Sequence, residues 1–169
     1  MKSISYIQGD ATTPVYDNEK NIILHICNNK GGWGAGFVMA LSAKWNQPES
    51  EYLRMSTSKR KLGNIQLIPV EKNIVVANMI AQDGFGFNEF DVPAVRYGAL
   101  KVCLEKVFKY AKSINASINM PRIGCGLSGG SWDIIEFIIN KVNALYDLDI
   151  FVYDFVNEQD KNFIKAKLN

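Results

Sequence analysis

Two glycine-rich segments contain the residues whose types and spacing best suit chemistry. The first covers residues 25–36, His-Ile-Cys-Asn-Asn-Lys-Gly-Gly-Trp-Gly-Ala-Gly, and the second covers residues 121–130, Pro-Arg-Ile-Gly-Cys-Gly-Leu-Ser-Gly-Gly. Each follows an apolar, strand-like run and leads into a helical pattern. Glycines let the backbone approach a ligand closely, and free N–H groups at a helix start favour anions. The pair therefore predicts a ligand with more than one phosphate, held from both sides.

Neither segment is a standard nucleotide-binding motif. The first lacks the Gly-Lys-Ser/Thr of a Walker A loop, and residues 32–36 do not keep the G-x-G-x-x-G register of a dinucleotide fingerprint. The expectation of a phosphate site rests instead on position, because α/β sheets bind ligands where neighbouring strands end.

Strand and helix patterns alternate along the chain. Apolar or alternating runs predict strands over 4–7, 22–27, 65–70, 74–80, 118–121 and 150–155. Helical spacing predicts three helices. The first starts near Gly34 and ends before Pro48. The other two are marked by Tyr97, Leu100, Leu104, Val107, Phe108 and Ala111, and by Ile134, Ile138, Val142 and Leu145. We expect a loop with exposed aromatics over 83–91, a short polar helix at the end of the chain, and an α/β fold with a mixed sheet.

The composition is that of an ordinary globular protein. With 169 residues, 47% hydrophobic and 21% charged, we expect a single domain over 1–169. A net charge of +2 is too small for bulk attraction to nucleic acid, and Lys59-Arg60-Lys61 is interpreted as a solvated turn.

Cysteine and histidine usage bears on compartment and metals. The cysteines are three and far apart, which predicts free thiols in a reducing compartment, and one histidine makes a zinc site unexpected. With no targeting pattern and no apolar run long enough for a membrane span, we expect a cytoplasmic monomer without metal or cofactor.

Three pieces of the sequence together resemble the macro domain, an ADP-ribose-binding module. They are Gly9-Asp10-Ala11 after the first strand, residues 25–36 and residues 120–127. The resemblance covers essentially the whole chain and implies a three-layer α/β/α sandwich with a central mixed β-sheet. The first segment is most similar to yeast-type ADP-ribose 1″-phosphate phosphatases. The second is also similar to macro domains that remove ADP-ribose from acidic side chains or from DNA.

The resemblance implies roles for particular positions. Asp10, flanked by Gly9 and Ala11, would accept a hydrogen bond from the adenine amine, and Tyr153 or Phe155 would stack on the base. Backbone contacts to the distal ribose and diphosphate would come from Gly34, Ala35 and Gly36. The phosphates would be closed over from the opposite side by Gly124, Cys125, Gly126, Leu127 and Ser128. Asn28 would lie near the distal ribose, and Trp33 would lie partly exposed over the ligand.

Simpler interpretations of these residues stay open. Asp10 is also typical of a turn, Asn28 of a side chain that caps a tight turn, and Tyr153 and Phe155 of core packing.

His25 has two interpretations. A lone histidine in an apolar strand is usually a satisfied core residue, whereas the matching histidine of phosphatase-type relatives is catalytic. As a catalyst it would attack the terminal phosphate, or act as general acid or base.

The sequence departs from the ADP-ribosyl hydrolase branch at two positions. That branch has a lysine where this chain has Gln82, and an acidic residue where it has Ser128. Asp133 is an alternative source of the carboxylate, although a negative charge in the first turn of its helix is the more typical role for such a residue.

Three functions remain open: a phosphatase acting on ADP-ribose 1″-phosphate, a hydrolase removing ADP-ribose from a macromolecule, and a non-catalytic reader. All three predict ADP-ribose or a derivative as partner, and nucleic acid only where it carries an ADP-ribosyl group.

Overall fold

The computed structural model describes residues 1–16 and 19–155. Within these residues the strands are β1 (Ser5–Gln8), β2 (Asn21–Asn28), β3 (Ile65–Glu71), β4 (Ile74–Phe87), β5 (Pro93–Val95), β6 (Ser117–Pro121) and β7 (Ile150–Asp154). The helices are α1 (Phe37–Lys44), α2 (Gln47–Arg54), α3 (Tyr97–Ile114) and α4 (Trp132–Asn143). The polar helix predicted at the end of the chain lies outside the described residues.

These strands form one mixed sheet. Its order is β1-β7-β6-β2-β4-β3, with β5 also pairing with β4. Neighbours from β1 to β4 are parallel, whereas β3 and β5 run antiparallel to β4. The parallel strands therefore end at one edge of the sheet, and both glycine-rich segments follow strands that end there.

Helices cover both faces of the sheet, as alternation along β2 shows. Ile22 and Leu24 belong to the large core built with α3 and α4, whereas Ile23 packs with Leu41 of α1. Successive side chains of a strand point to opposite faces, so a continuous apolar run needs cover on both. This arrangement confirms the predicted α/β/α sandwich with a central mixed sheet.

The predicted apolar face is confirmed for α3, whereas the buried face of α4 differs from the predicted one. Along α3, the predicted apolar residues from Leu100 to Ala111 are buried. Along α4, the buried residues are Ile135, Ile139 and Val142, whereas Ile134 is exposed. Isoleucine pairs at 134–135 and 138–139 make two faces of this helix apolar, so spacing alone does not identify the inner one.

Two predicted boundaries were wrong in ways that matter for the site. The first helix begins at Phe37, because Gly36 adopts a φ of 81°, outside the helical region. A separate helix, α2, follows it, with Pro48 in the first turn, where a missing N–H costs little. Strand β4 continues to Phe87 through most of the predicted loop over 83–91. Gly84 and Gly86 adopt positive φ in that stretch, and glycines of this kind are typical of loops.

Within the described residues, no helix combines the length and apolar character needed to cross a membrane.

Candidate ligand-binding cleft

A cleft lies where β2 and β6 end, between the two glycine-rich segments. It contains two adjoining cavities of about 200 and 360 Å³. Gly124, Gly126 and Ser128 line the smaller cavity, and Gly32 and Trp33 line the larger one. The residues common to both walls are Ile26, Ala35, Val38, Gln82 and Leu127. The structure therefore brings the two predicted loops together across one groove.

Backbone N–H groups on both sides of this cleft are free. Within the described part of the chain, Gly34, Ala35 and Gly36 donate no backbone hydrogen bond, and neither do residues 126–128. All six residues line the cavities. Backbone donors at a semi-enclosed site require acceptors, and phosphate oxygens supply several at once. The start of α1 at Phe37 adds the positive end of a helix dipole beside the first group.

The Asn28 side chain holds the first loop in shape. Its Oδ1 accepts hydrogen bonds from the N–H groups of Lys30 (2.9 Å) and Gly32 (3.1 Å), and its Nδ2 donates to the Gly32 carbonyl at 2.7 Å. The buried Tyr52 hydroxyl donates to the Asn28 carbonyl at 2.7 Å and accepts from Gly31 N–H at 3.1 Å. Burial raises the pKa of Tyr52 to about 12, so this hydroxyl stays protonated. These contacts support the capping interpretation of Asn28 over contact with a ribose.

The second loop is held by its own backbone. Gly124 adopts a φ of 74°, and its carbonyl accepts from Gly130 N–H at 2.7 Å. Ser128 is buried, and its carbonyl accepts from Val95 N–H of β5 at 3.2 Å. Leu127 is 66% exposed and forms part of the wall of both cavities. Cys125 donates its thiol to the Ile123 carbonyl at 3.5 Å, and burial raises its pKa, so the thiol is neutral.

His25 lies on the wall of the smaller cavity but is only 2% exposed. Its Nε2 hydrogen-bonds to Asn78 Oδ1, and its ring packs edge-on against Trp33 with centroids 5.2 Å apart. Burial lowers the pKa of His25 to about 4, so the imidazole is neutral at neutral pH. A neutral ring whose Nε2–H is bonded to an amide oxygen has no proton ready for a leaving group. The geometry therefore favours the core interpretation of His25, and its catalytic role stays a prediction.

Asn78 is the buried partner of His25 behind the cleft, and the sequence analysis missed it. It is fully buried, and its Nδ2 donates to the Pro48 carbonyl (3.0 Å) and to Gln66 Oε1 (3.1 Å). Its signal was a single asparagine inside the apolar run over 74–80. A polar residue in a strand that is buried on both faces needs partners there.

Trp33 is half-buried, and it lines the larger cavity. Its Nε1 donates to Ser42 Oγ at 2.8 Å, and its ring packs against Tyr52. The intermediate burial is consistent with the predicted partial exposure, and α1 and α2 each supply one of these contacts.

The predicted adenine end is built from the segments that follow β1 and β7. Asp10 Oδ1 accepts from the N–H (2.8 Å) and hydroxyl (2.7 Å) of Thr12, which is the turn interpretation. Its Oδ2 has no partner within the described residues. Gly9 N–H donates to the Asp154 carbonyl at 3.0 Å, and Ala11 is buried against Tyr153.

The two aromatic candidates for adenine stacking differ in exposure. Tyr153 is buried, with its hydroxyl donating to Asn119 Oδ1 at 2.8 Å and accepting from Val15 N–H at 3.1 Å. Phe155 is 73% exposed. Core packing therefore accounts for Tyr153, and Phe155 alone of the pair has a ring face free for a base.

Arg122 also lines the smaller cavity and was not predicted as a site residue. It makes a two-point hydrogen bond to Asp154 (2.6 and 2.9 Å) and lies over the rings of Tyr6 and Trp132. The Arg122 guanidinium lowers the pKa of Asp154, and that same hydrogen bond raises the pKa of Arg122. This fixed pair forms the rim between β6 and β7.

The structure also gives the locations of Gln82 and of Asp133, the two residues in question in the comparison with the hydrolase branch. Gln82 lies between the two cavities, and Asp133 lies in the first turn of α4, as the helix-charge interpretation predicts. In the described part of the chain, no group of three histidine, cysteine, aspartate or glutamate side chains is arranged to hold a metal ion.

Solved structures with this fold define the class of protein. A macrodomain protein from Streptomyces coelicolor is 37% identical, with a TM-score of 0.75, and the match covers 90% of this chain and 99% of that one. A Bacteroides thetaiotaomicron protein of unknown function is 42% identical, with a TM-score of 0.86 over 91% of this chain and 98% of that one. This chain belongs to the macrodomain family.

Similar curated proteins include a phosphatase and a chromodomain-helicase-DNA-binding protein. The ADP-ribose 1″-phosphate phosphatase of Lodderomyces elongisporus is 28% identical over 90% of this chain and 99% of its own length. The chromodomain-helicase-DNA-binding protein 1-like of Danio rerio is 33% identical over 89% of this chain. This chain spans only 15% of the length of that relative. No protein-family model matches the sequence.

Proposed function

We propose that this protein binds ADP-ribose in the cleft and hydrolyses ADP-ribose 1″-phosphate to ADP-ribose and phosphate. One observation carries the proposal: free backbone N–H groups line the cleft from both glycine-rich loops. A diphosphate between two such loops would have donors on both sides. The relative named ADP-ribose 1″-phosphate phosphatase supports the choice of reaction, because it aligns over nearly its whole length.

The ligand would lie along the carboxyl edge of the sheet. Adenine would lie against Phe155, with its amine donating to the free Oδ2 of Asp10. The diphosphate would lie between residues 34–36 and residues 126–128. The distal ribose would then reach the larger cavity, beside Trp33.

In the reaction, a water oxygen attacks phosphorus and the bond between phosphorus and the oxygen on C1″ breaks. That oxygen takes up a proton, and ADP-ribose and inorganic phosphate leave. Phosphoryl transfer depends mainly on positioning and on donors aimed at the phosphoryl oxygens, which the loop N–H groups would supply. His25 lies on the wall of the smaller cavity as a buried neutral ring, and a catalytic role for it is what the variant below tests.

The test is release of inorganic phosphate from ADP-ribose 1″-phosphate, measured beside a His25→Gln variant. Glutamine keeps a hydrogen-bond donor near Asn78 but removes the imidazole. We expect release by the native protein. A sharp fall in the variant, with ADP-ribose binding retained, would assign the ring to catalysis, and an unchanged rate would leave it as packing. No release above background, with ADP-ribose still bound, would contradict the phosphatase and leave a reader or a hydrolase of another ADP-ribosyl linkage.

We also propose that residues 1–169 act as one domain and as a monomer in the cytoplasm. Parallel pairing of β1 with β7, which joins the two ends of the described chain, supports the single domain. Nucleic acid would be a partner only where it carries an ADP-ribosyl group.

A further inference from the structure

Gln82 occupies the junction of the two cavities. Among the five described residues that line both, Gln82 is the polar one, and the others are Ile26, Ala35, Val38 and Leu127. A polar ligand group that passes from one cavity to the other therefore meets one polar side chain in this shared wall.

A shift in strand register places Gln82 there. Cys27 pairs with Ile80, but the next residue of β2, Asn28, pairs with Gln82, so Ala81 has no partner on β2. An extra residue in one strand redirects the side chains beside it, and such bulges are frequent next to binding sites. The Gln82 carbonyl also accepts from Asn29 N–H at 3.0 Å, which ties this part of β4 to the first loop.

The Gln82 carboxamide has a free hydrogen-bond acceptor, whereas both polar atoms of the Asn28 carboxamide are bonded within the protein. Its Nε2 donates to the Gly84 carbonyl at 2.8 Å, and its Oε1 has no hydrogen-bond partner within the described residues. In contrast, Asn28 Oδ1 accepts from two loop N–H groups and lies 2.9 Å from the Tyr52 hydroxyl. A bonded nitrogen with a free oxygen holds the acceptor in a fixed direction.

We propose that Gln82 is the positioning residue for the distal ribose, with Oε1 accepting a hydrogen bond from a ribose hydroxyl. Asn28, the residue that the sequence pointed to, supports the loop instead. The larger cavity beyond Gln82 is also lined by Asn28, Trp33 and Phe85. Because the Asn28 carboxamide is bonded to the loop, Gln82 Oε1 is the side-chain acceptor left for a ribose hydroxyl. This inference rests on the proposed binding of ADP-ribose.

The test compares the affinities for ADP-ribose and ADP, because ADP lacks the distal ribose. Calorimetry would measure both ligands against the native protein, Gln82→Met and the control Gln47→Met. Methionine matches glutamine in length but offers no carboxamide, and Gln47 is exposed at the start of α2. We expect the dissociation constant of Gln82→Met for ADP-ribose to rise by about three- to tenfold, the loss of one neutral hydrogen bond. Its affinity for ADP and both affinities of the control should be unchanged.

Equal losses for ADP-ribose and ADP, or no loss, would overturn the assignment. If Gln82→Met unfolds, Gln82→Asn withdraws the carboxamide by one methylene with less change in packing, and the same selective loss is expected. If the native protein binds neither ligand, the proposed function fails, and the inference fails with it. If it binds ADP-ribose but Gln82 has no effect, only the inference fails.

Discussion

At the scale of single residues, hydrogen-bond partners decide which polar side chains remain available to a ligand. His25 and Asn28 each had a chemical and a structural interpretation, and the structure gives both of them protein partners. Those partners lie far along the chain: Asn78 is 53 residues from His25, and Tyr52 is 24 residues from Asn28. Local spacing predicted that these residues lie at the site. It did not predict their bonds, because tertiary packing creates them.

The buried His25 predicts a stability that falls in mild acid. Burial lowers the pKa of His25 from 6.5, its value in the unfolded chain, to about 4 in the folded protein. The unfolded chain therefore binds the proton more readily. The stabilising contribution is therefore full above pH 6.5 and is lost as the pH falls from there towards 4. We expect the free energy of unfolding to be about 2 kcal/mol lower at pH 5 than at pH 7 from this residue.

Urea unfolding at the two pH values measures this difference, and His25→Gln, which does not titrate, is the control. The variant should lose most of the dependence between pH 7 and pH 5. An equal dependence in both proteins would show that other groups cause it and that His25 is accessible to protons in the fold.

At the scale of elements, the far end of β4 connects the two loops. Phe85 lies over Gly32 of the first loop, and Phe87 lies over Gly129 of the second. The sequence predicted a loop with exposed aromatics over 83–91. The aromatics are exposed, but the backbone is a strand as far as Phe87, and only residues 88–91 form the predicted loop. Gly84 and Gly86 interrupt the run of side chains that would predict a strand. The partner strand β5 has only three residues, too few to show a strand pattern.

The close approach of Phe85 to Gly32 predicts non-additive substitutions. A Cβ on Gly32 would lie 2.5 Å from Phe85 Cζ, and the φ of Gly32 does not itself require glycine. Alanine at this position should therefore displace the ring, which is 64% exposed and free to swing out of the larger cavity. We expect Gly32→Ala and Phe85→Ala to weaken ADP-ribose binding to the same extent, by about 1 kcal/mol each.

The double variant should be no worse than either single one, as measured by calorimetry. Losses that add in the double variant would mean that the two substitutions act independently, and that Phe85 does not form the wall above Gly32.

At the scale of the whole molecule, the site follows from the order of the strands. Parallel β2 and β6 are neighbours, so the loops after them meet, although about 95 residues separate them in the sequence. Periodicity predicted the α/β class and most strands, because apolar runs report burial directly. It did not predict α2, whose eight residues contain few apolar positions, yet α2 supplies the tyrosine that holds the first loop.

The central claim is that the cleft between the two loops binds ADP-ribose, and calorimetry on a blocked cleft tests it most directly. Gly34 lines the larger cavity, and a Cβ there would meet no atom within 4 Å. Gly34→Leu should therefore fill the cleft without straining the fold. Gly98, on α3, is equally open and outside the cleft, so Gly98→Leu is the matched control. We predict that the native protein and Gly98→Leu bind ADP-ribose, and that Gly34→Leu stays folded but loses at least about a hundredfold in affinity, or roughly 3 kcal/mol. No heat of binding with the native protein, or undiminished affinity in Gly34→Leu, would contradict the claim.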